Sequence, residues 1–410
     1  MQDLLELSAR TLEIQNRPYL RYFLRENSLE SRLSIISGPR GIGKSTVLVQ
    51  HLLRQVSGDV WSERILYVAA DHFLVRKYHL YEIAEWFSRR GGQIVAFDEI
   101  HRIRDWSMQL KSIHDTFPGL KVLASGSSAL EIHKGTHDLS RRAVAYRMHG
   151  LSFREFVELR TGLEFGPLPL PELLEDHRRR AGAIVRTLDV AGFKVLSLFA
   201  DYLVRGFYPY FLDLASVPLF QRTLEQQVHT TIESDLLSIH PSLGGESIRK
   251  IKHLLSVVAA SVPFTPDLNA VKQAVEVVDT RTLKTYLKYL EDAGILRQLH
   301  LPGRPFDALR KPEKLYLHDT NQLFALAPAN AGNLGTVRET FFSQALAPAH
   351  ALAAAREGDF VVDGRWVFEV GRRSKKRRQI RSVEEAYLAV DDLETGVDGT
   401  IPLWLFGWGY

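Results

Sequence analysis

The stretch Ser34-Ile35-Ile36-Ser37-Gly38-Pro39-Arg40-Gly41-Ile42-Gly43-Lys44-Ser45-Thr46 decides how this chain is read. Gly38, Gly43, Lys44 and Ser45 fit the phosphate-binding pattern G-x-x-x-x-G-K-[ST]. The apolar run from Leu33 to Ser37 reads as a buried parallel strand. Thr46 to Val56 reads as a helix, with Val47, Leu48, His51 and Leu52 at helical spacing. The glycines therefore fall on a strand-to-helix turn, a context that a chance glycine-rich turn lacks. Without Cβ atoms, Gly38, Gly41 and Gly43 let successive N–H groups point at an anion. The helix N-terminus adds partial positive charge at the same spot. The loop Gly38-Pro39-Arg40-Gly41-Ile42-Gly43-Lys44-Ser45-Thr46 is thus expected to wrap the phosphates of ATP. Lys44 is expected to reach the β- and γ-phosphates, and the Ser45 hydroxyl to bind Mg²⁺.

A second nucleotide motif follows. Gln93-Ile94-Val95-Ala96-Phe97-Asp98-Glu99 reads as a strand ending in two carboxylates, a Walker B pattern. Asp98 is expected to share the Mg²⁺ with Ser45. Glu99 is expected to be the general base that orients the attacking water. An acidic pair at a strand end can also be a solvated loop start. The next strand, Leu120 to Ala124, runs into Ser125-Gly126-Ser127-Ser128. Ser127 or Ser128 is the preferred hydroxyl to sense the γ-phosphate, against an ordinary Ser/Gly turn. Arg141 and Arg142 offer a second positive charge for the phosphate, from a neighbouring subunit, or are solvated surface arginines.

The remaining chain sets the bounds. With 410 residues, two or three domains are expected. Lys plus Arg is 52 against 48 Asp plus Glu, a net of +4, which by itself does not imply nucleic-acid binding. The absence of cysteine excludes disulfides, thiolate metal sites and cysteine nucleophiles. No apolar run approaches a membrane-spanning length, and no basic start precedes an apolar core at the N-terminus. A cytoplasmic protein with no membrane partner is expected.

Ile65 to Ala70 is a further strand, and Leu80 to Phe87 and Trp106 to Phe117 read as helices. Strands alternating with helices imply a parallel sheet with helices on both faces. One strand lies between the two nucleotide motifs in sequence, and a glutamate follows the Walker aspartate, a pattern that resembles the additional-strand P-loop ATPases. The expected domains are an ATPase core at 1–150, a helical lid region at 151–260, a winged helix at 261–311 and a mixed α/β domain at 312–410. The winged helix is read from Thr280 to Ala293, ended by Gly294 and followed by a strand from Ile295 to Leu301. Further strands are expected near Lys314–Leu317, Phe360–Val362 and Trp366–Val370.

With these residues in view, the chain resembles a prokaryotic family of AAA-type ATPases that carry a winged helix and a C-terminal domain related to PD-(D/E)XK nucleases. Gly38 to Ser45, Phe97-Asp98-Glu99-Ile100-His101 and Ser125 to Ser128 look like the family's nucleotide motifs. Gly150-Leu151-Ser152-Phe153-Arg154-Glu155-Phe156 is similar to its Pro-Leu-Ser-Phe-x-Glu-Phe segment, with glycine for the proline, and Tyr202 to Pro209 has a family look. The resemblance implies a trans arginine-finger role for Arg142, although the family's Gly-Arg pair reads Arg141-Arg142 here. It also aligns Glu339, Asp359 and Glu369 with the nuclease's metal-binding carboxylates. The family lysine after the last of these is Gly371, so a fold that no longer cuts is the preferred reading, with Lys375 or Lys376 as stand-ins.

Beside Glu369 lies Arg372-Arg373-Ser374-Lys375-Lys376-Arg377-Arg378, a run suited to phosphate-backbone contact or to a solvated loop. On the helix that a winged helix would place in a groove, Arg281, Lys284, Thr285 and Lys288 are expected on the exposed side. Two functions compete: a Mg²⁺-dependent, DNA-binding oligomeric ATPase of DNA remodelling, repair or defence, and a nucleotide-gated switch acting on a protein partner.

Overall fold

The computed structural model describes residues 1–126, 139, 141–240, 242–261, 265–303, 311–327, 333–375, 380, 383–397 and 399–410. Ser127, Ser128, Lys376, Arg377 and Arg378 lie outside the described residues. The chain divides into two compact units: Met1–Gly150 with Ser234–Ser242, and Leu151–Glu233 with Leu243–Tyr410.

In the first unit, five short strands form one sheet in the order β2-β3-β4-β1-β5. They are β1 (Leu33–Ser37), β2 (Ile65–Ala69), β3 (Ile94–Asp98), β4 (Lys121–Gly126) and β5 (Val144–Arg147). Every pairing is parallel. Parallel strands need crossover helices, so both faces are covered and the strands read as continuous apolar runs. All five residues of β1 and of β3 are buried accordingly. Among its described helices are α1 (Gln2–Gln15), α2 (Tyr22–Glu26), α3 (Lys44–Gln55), α4 (Leu80–Arg89) and α5 (Trp106–Thr116). Leu33, Ile35, Val95, Phe97, Val122 and Ala124 pack with Ile83, Phe87, Leu110 and Ile113 in one apolar core. β4 sits between β1 and β3, with Ile35 beside Ala124 and Phe97 beside the same alanine. The two nucleotide motifs therefore leave the same edge of the sheet, one strand apart. β5 escaped the sequence reading because Val-Ala-Tyr-Arg is a mostly exposed edge strand with no apolar run.

The second unit holds the segments read as 151–260, 261–311 and 312–410, apart from Ser234–Ser242. Its first part is helical: Phe153–Thr161, Leu170–Val190, Val195–Arg205, Val217–Thr230 and Gly245–Ser261. Ser152 starts the first of these with a capping box: its side chain accepts from Glu155 N–H while the Glu155 carboxylate accepts from Ser152 N–H. Phe153 is fully buried, with ring centroids 5.2 Å from Trp408 and 5.4 Å from Tyr202. A Cβ on Gly407 would lie 2.5 Å from the Phe153 Cβ, so the C-terminal turn closes on that ring. The segment Tyr202 to Pro209 is held by buried polar groups. Asn321 donates to the carbonyls of Tyr202 and Leu203, both at 3.0 Å, and accepts from Phe207 N–H at 2.8 Å. Buried amides of this kind fix one arrangement because an unmet partner is costly.

The helices Leu268–Ala274 and Thr280–Asp292 precede β6 (Leu296–Leu299), which pairs antiparallel with β7 (Lys314–Leu317). The strand expected to run to Leu301 thus stops at Leu299. After the helix Leu334–Leu346 comes a sheet ordered β12-β11-β10-β9-β8. Its strands are β8 (Leu352–Ala354), β9 (Phe360–Val362), β10 (Trp366–Gly371), β11 (Ala386–Val390) and β12 (Thr400–Pro402). β8, β9 and β10 pair antiparallel, whereas β11 and β12 continue parallel to β10. β8 and β12 are three residues each, too short for a readable pattern.

Candidate nucleotide site

Backbone geometry shapes the turn after β1. Gly38 has φ +155°, and a Cβ there would meet the Met148 carbonyl oxygen at 2.3 Å. Gly43 has φ +96° as the residue before α3. Neither position admits a side chain without strain. Lys44 opens α3 and is buried, with Nζ donating to Gly38 O at 3.0 Å and to Pro39 O at 2.8 Å. Burial lowers its pKa, while the Glu99 and Asp98 carboxylates oppose that shift.

The next residue reaches the acidic strand end. Ser45 Oγ donates to Asp98 Oδ2 at 2.5 Å, and Tyr67 OH donates to the same oxygen at 2.5 Å. Asp98 Oδ1 accepts from Ser125 Oγ and from Glu99 N–H, the latter at 3.1 Å. Burial, with the Asp98 charge, holds the Tyr67 phenol well above its ordinary pKa, so it remains a donor. Ser45 and Asp98 supply two hard oxygen donors side by side, the donor set that Mg²⁺ takes.

Glu99 occupies the left-handed region at φ 56°, ψ 40°, which is uncommon for a residue with a side chain. Its N–H donates to Ser125 Oγ at 3.3 Å. Burial raises the Glu99 pKa, Lys44 lowers it and Asp98 raises it again. A carboxylate poised above its usual range suits proton transfer near neutral pH. His101 Nε2 lies 3.5 Å from Glu99 Oε2, and burial beside Arg102 lowers the His101 pKa to about 3, leaving the ring neutral.

The expected phosphate loop, Asp98 and Glu99 are thus brought together. Of the serine-rich end of β4, Ser125 is the described hydroxyl in contact with this cluster; the preferred Ser127 and Ser128 lie outside the described residues. Arg142 is placed differently. Its guanidinium makes a bidentate pair with Asp115 at the end of α5, at 2.7 and 2.9 Å. It precedes β5, whose first residue Val144 lies beside Ser34, whereas the phosphate loop follows Ser37. Arg142 therefore precedes the start of β5, at the end of the sheet where β1 begins, whereas Lys44 follows the end of β1. Sequence reading missed Tyr67, which a tyrosine on the strand flanking β3 could have signalled. It also missed Asp235, which lies far along the chain with no motif.

In the second unit, Glu339 and Asp359 share one cation. Lys314 Nζ is 3.2 Å from Glu339 Oε2 and 3.1 Å from Asp359 Oδ1, and Tyr316 OH donates to Glu339 Oε2 at 2.7 Å. Burial opposes the Lys314 charge, but the two carboxylates outweigh it and raise the pKa. Glu369 is buried and pairs separately with Lys375, Nζ to Oε1 at 3.1 Å. The Lys375 side chain fills the space over Gly371: its Cδ lies 2.6 Å from where a Cβ would stand. Among the described residues no group of three or more His, Cys, Asp or Glu could hold a metal ion. Of the three carboxylates aligned by the resemblance, Glu339 and Asp359 meet at Lys314, and Glu369 faces Lys375. Arg372 and Arg373 are exposed after β10. On the helix Thr280–Asp292, Arg281 is exposed and Lys284 and Thr285 are half-buried. Lys288 is exposed but held by Glu291 at 3.1 Å and Asp292 at 2.9 Å.

Comparison with known proteins adds the following. Residues 30–157 match the family described as AAA domain, and residues 196–332 match a domain of unknown function (DUF8612). No curated protein matches the chain in sequence. Among solved structures, the chain is similar to the Walker-type ATPase PABY2304 of Pyrococcus abyssi, at 13% identity and TM-score 0.38, covering 78% of this chain and 95% of that one. It is similar to C. elegans PCH-2 at 14% identity and TM-score 0.26, covering 39% and 45%. A DNA polymerase III gamma subunit-related protein from Thermotoga maritima matches at 11% identity and TM-score 0.25, covering 71% and 100%.

Proposed function

We propose that this AAA-type P-loop ATPase uses Mg²⁺ and acts on DNA through its second unit, as an oligomer. Mg²⁺, when bound, would neutralise charge developing on the phosphoryl oxygens. Ser45 and Asp98 are the residues that would hold it. Lys44 binds the β- and γ-phosphates, Glu99 takes a proton from the attacking water, and Ser125 and Tyr67 hold the Asp98 carboxylate in place. Water activation by a carboxylate contributes typically about 10²- to 10⁴-fold.

The single observation behind the DNA reading is the exposed pair Arg372 and Arg373 at the end of β10, where the basic run begins. The order of helix, helix and two-stranded ladder from Leu268 to Leu317 supports the winged-helix reading, with Arg281 as its exposed cation. The meander β8-β9-β10 with β11 parallel to β10 supports a nuclease-like core, and Gly371 at the family's lysine position is the ground for reading it as one that no longer cleaves. A role for Arg142 in a neighbouring subunit rests on the family resemblance, and it requires the side chain to leave Asp115.

The test is DNA binding and DNA-stimulated ATP hydrolysis at several salt concentrations. Log affinity should fall linearly with log salt, and Arg372→Ala with Arg373→Ala should make that slope shallower by roughly one for each phosphate left without its arginine. No binding to duplex, single-stranded or branched DNA at low salt would remove the reading. A protein partner is the second reading, favoured by the capture of Lys288 by Glu291 and Asp292 and by Val278, which is 90% exposed before that helix.

A further inference from the structure

The segment Ser234–Ser242 belongs to the first unit although the chain on either side of it belongs to the second. Its two leading residues enter the nucleotide site. Asp235 is 1% exposed, and its Oδ1 lies 2.6 Å from Arg102 NH2, 3.8 Å from Arg40 NH1 and 4.0 Å from His101 Nε2. Ser234 Oγ accepts from Arg102 NH1 at 2.7 Å. Arg40 is part of the phosphate loop, two residues after Gly38 and four before Lys44. Its guanidinium therefore faces a carboxylate that arrives from far along the chain. The same Arg40 and Asp235 charges act on both Lys44 and Glu99, so all four groups share one field.

A phosphate loop exists to bind an anion, and its arginine here already has one. Adding a γ-phosphate puts a second anion within the field of Arg40. We propose that Asp235 and the terminal phosphate of ATP compete for Arg40, so that the triphosphate loosens the segment at 234–240 and its loss refastens it. The inference rests on the ATPase reading of this site and adds a regulated element to it. Because ADP lacks the third phosphate, the segment responds to which nucleotide is bound. By linkage the effect is reciprocal: if ATP weakens the hold of Arg40 on Asp235, that hold weakens ATP binding by the same factor. Glu246 and Glu233, near the segment in sequence, are engaged by Lys250 and Lys252 and leave this exchange to Asp235. Asp235 acts through Arg40 and touches no reacting atom, so it is a positioning residue.

The experiment measures hydrogen exchange of peptides spanning 231–240 in the full-length chain, with the Glu99→Gln variant used to hold ATP intact. Exchange there should be faster with ATP than with ADP. In an added Arg40→Ala variant it should be indifferent to nucleotide, with Arg102 still holding Asp235 and Ser234. Fluorescent-nucleotide titration of Asp235→Asn should show ATP bound about 5- to 10-fold tighter, at the lower end of typical couplings, with ADP affinity unchanged. Equal exchange with ATP and ADP in protein that binds both would overturn the relay while leaving the ATPase reading intact. So would an Asp235→Asn effect that is the same for both nucleotides. Failure of the unaltered protein to bind ATP would overturn the ATPase reading and the relay together.

Discussion

Ser45 Oγ and Asp98 Oδ2 stand 2.5 Å apart, joining the end of the phosphate loop to the end of the acidic strand. Asp98 ends β3 and Ser45 lies in the first turn of α3, which follows the loop after β1, and β4 stands between β1 and β3, so the contact forms at the end of the sheet where that loop leaves β1. A hydroxyl and a carboxylate side by side offer two of the six oxygens that Mg²⁺ takes, leaving the others to phosphate and water. Ser45→Ala should raise the Mg²⁺ concentration needed for half-maximal hydrolysis by about 10-fold or more, the order seen when a metal's surroundings are altered. A Mg²⁺ titration of ATPase rate checks it; an unchanged midpoint would remove Ser45 from the metal's ligands.

Glu99 and its raised pKa lead to a kinetic expectation. Glu99→Gln should retain ATP binding and lose hydrolysis by about 10²- to 10⁴-fold. In the unaltered enzyme the acid limb of kcat/KM against pH should lie above the ordinary glutamate value, because burial disfavours the charged carboxylate. That limb should disappear in the residual activity of the variant. Normal turnover by Glu99→Gln would show that another group activates the water.

Much of the nucleotide site is legible in the sequence because its parts are local. Leu33–Ser37 and Ile94–Asp98 are short runs in which every residue is buried, and each leads directly into its chemistry. Ser125 reads only as one of three hydroxyls, since a Ser/Gly turn does not say which of them faces the site. Asp235 is illegible for another reason: an aspartate within a helical run becomes meaningful only when the fold returns it to Arg40 and Arg102. Lys314 is a similar case. A lysine in a short strand gives no sign that it will stand between Glu339 and Asp359.

That lysine carries a stability expectation. Lys314→Met would leave Glu339 and Asp359 facing each other without a cation, and breaking a largely buried pair costs about 3–5 kcal/mol. The deficit should be largest at neutral pH. Burial and the Asp359 charge already raise the Glu339 pKa, and removal of the ammonium raises it further. A folded-state pKa above the unfolded value means that the variant gains stability as pH falls and the carboxyl protonates. Urea unfolding at pH 7 and pH 5 checks it; equal deficits at both would contradict the shared-cation geometry.

Two buried histidines set an acid limit for the first unit. Burial lowers His51 to about 4 and His101 to about 3, against 6.5 for the free side chain. Each ring stays neutral when folded but takes a proton when unfolded below pH 6.5. The unfolded state then binds more protons, so stability is full above pH 6.5 and falls as pH drops toward 4. Each histidine contributes at most about 1.4 kcal/mol per pH unit in that window. Urea midpoints from pH 7 to pH 4.5 should fall steadily, and His51→Gln should make the decline shallower. A midpoint independent of pH over this range would contradict the neutral, buried placement of both rings.

The most direct test of the site as a whole is calorimetric titration of the protein with ATP in the presence of Mg²⁺, alongside Lys44→Ala. Saturable binding by the unaltered chain, weakened by about 10-fold or more when the Lys44 ammonium is removed, is the expected result, since an ionic contact of about 1.4 kcal/mol is worth a factor of ten. Absence of binding by the unaltered chain, or equal affinity in both proteins, would contradict the assignment of this turn as the grip on the triphosphate.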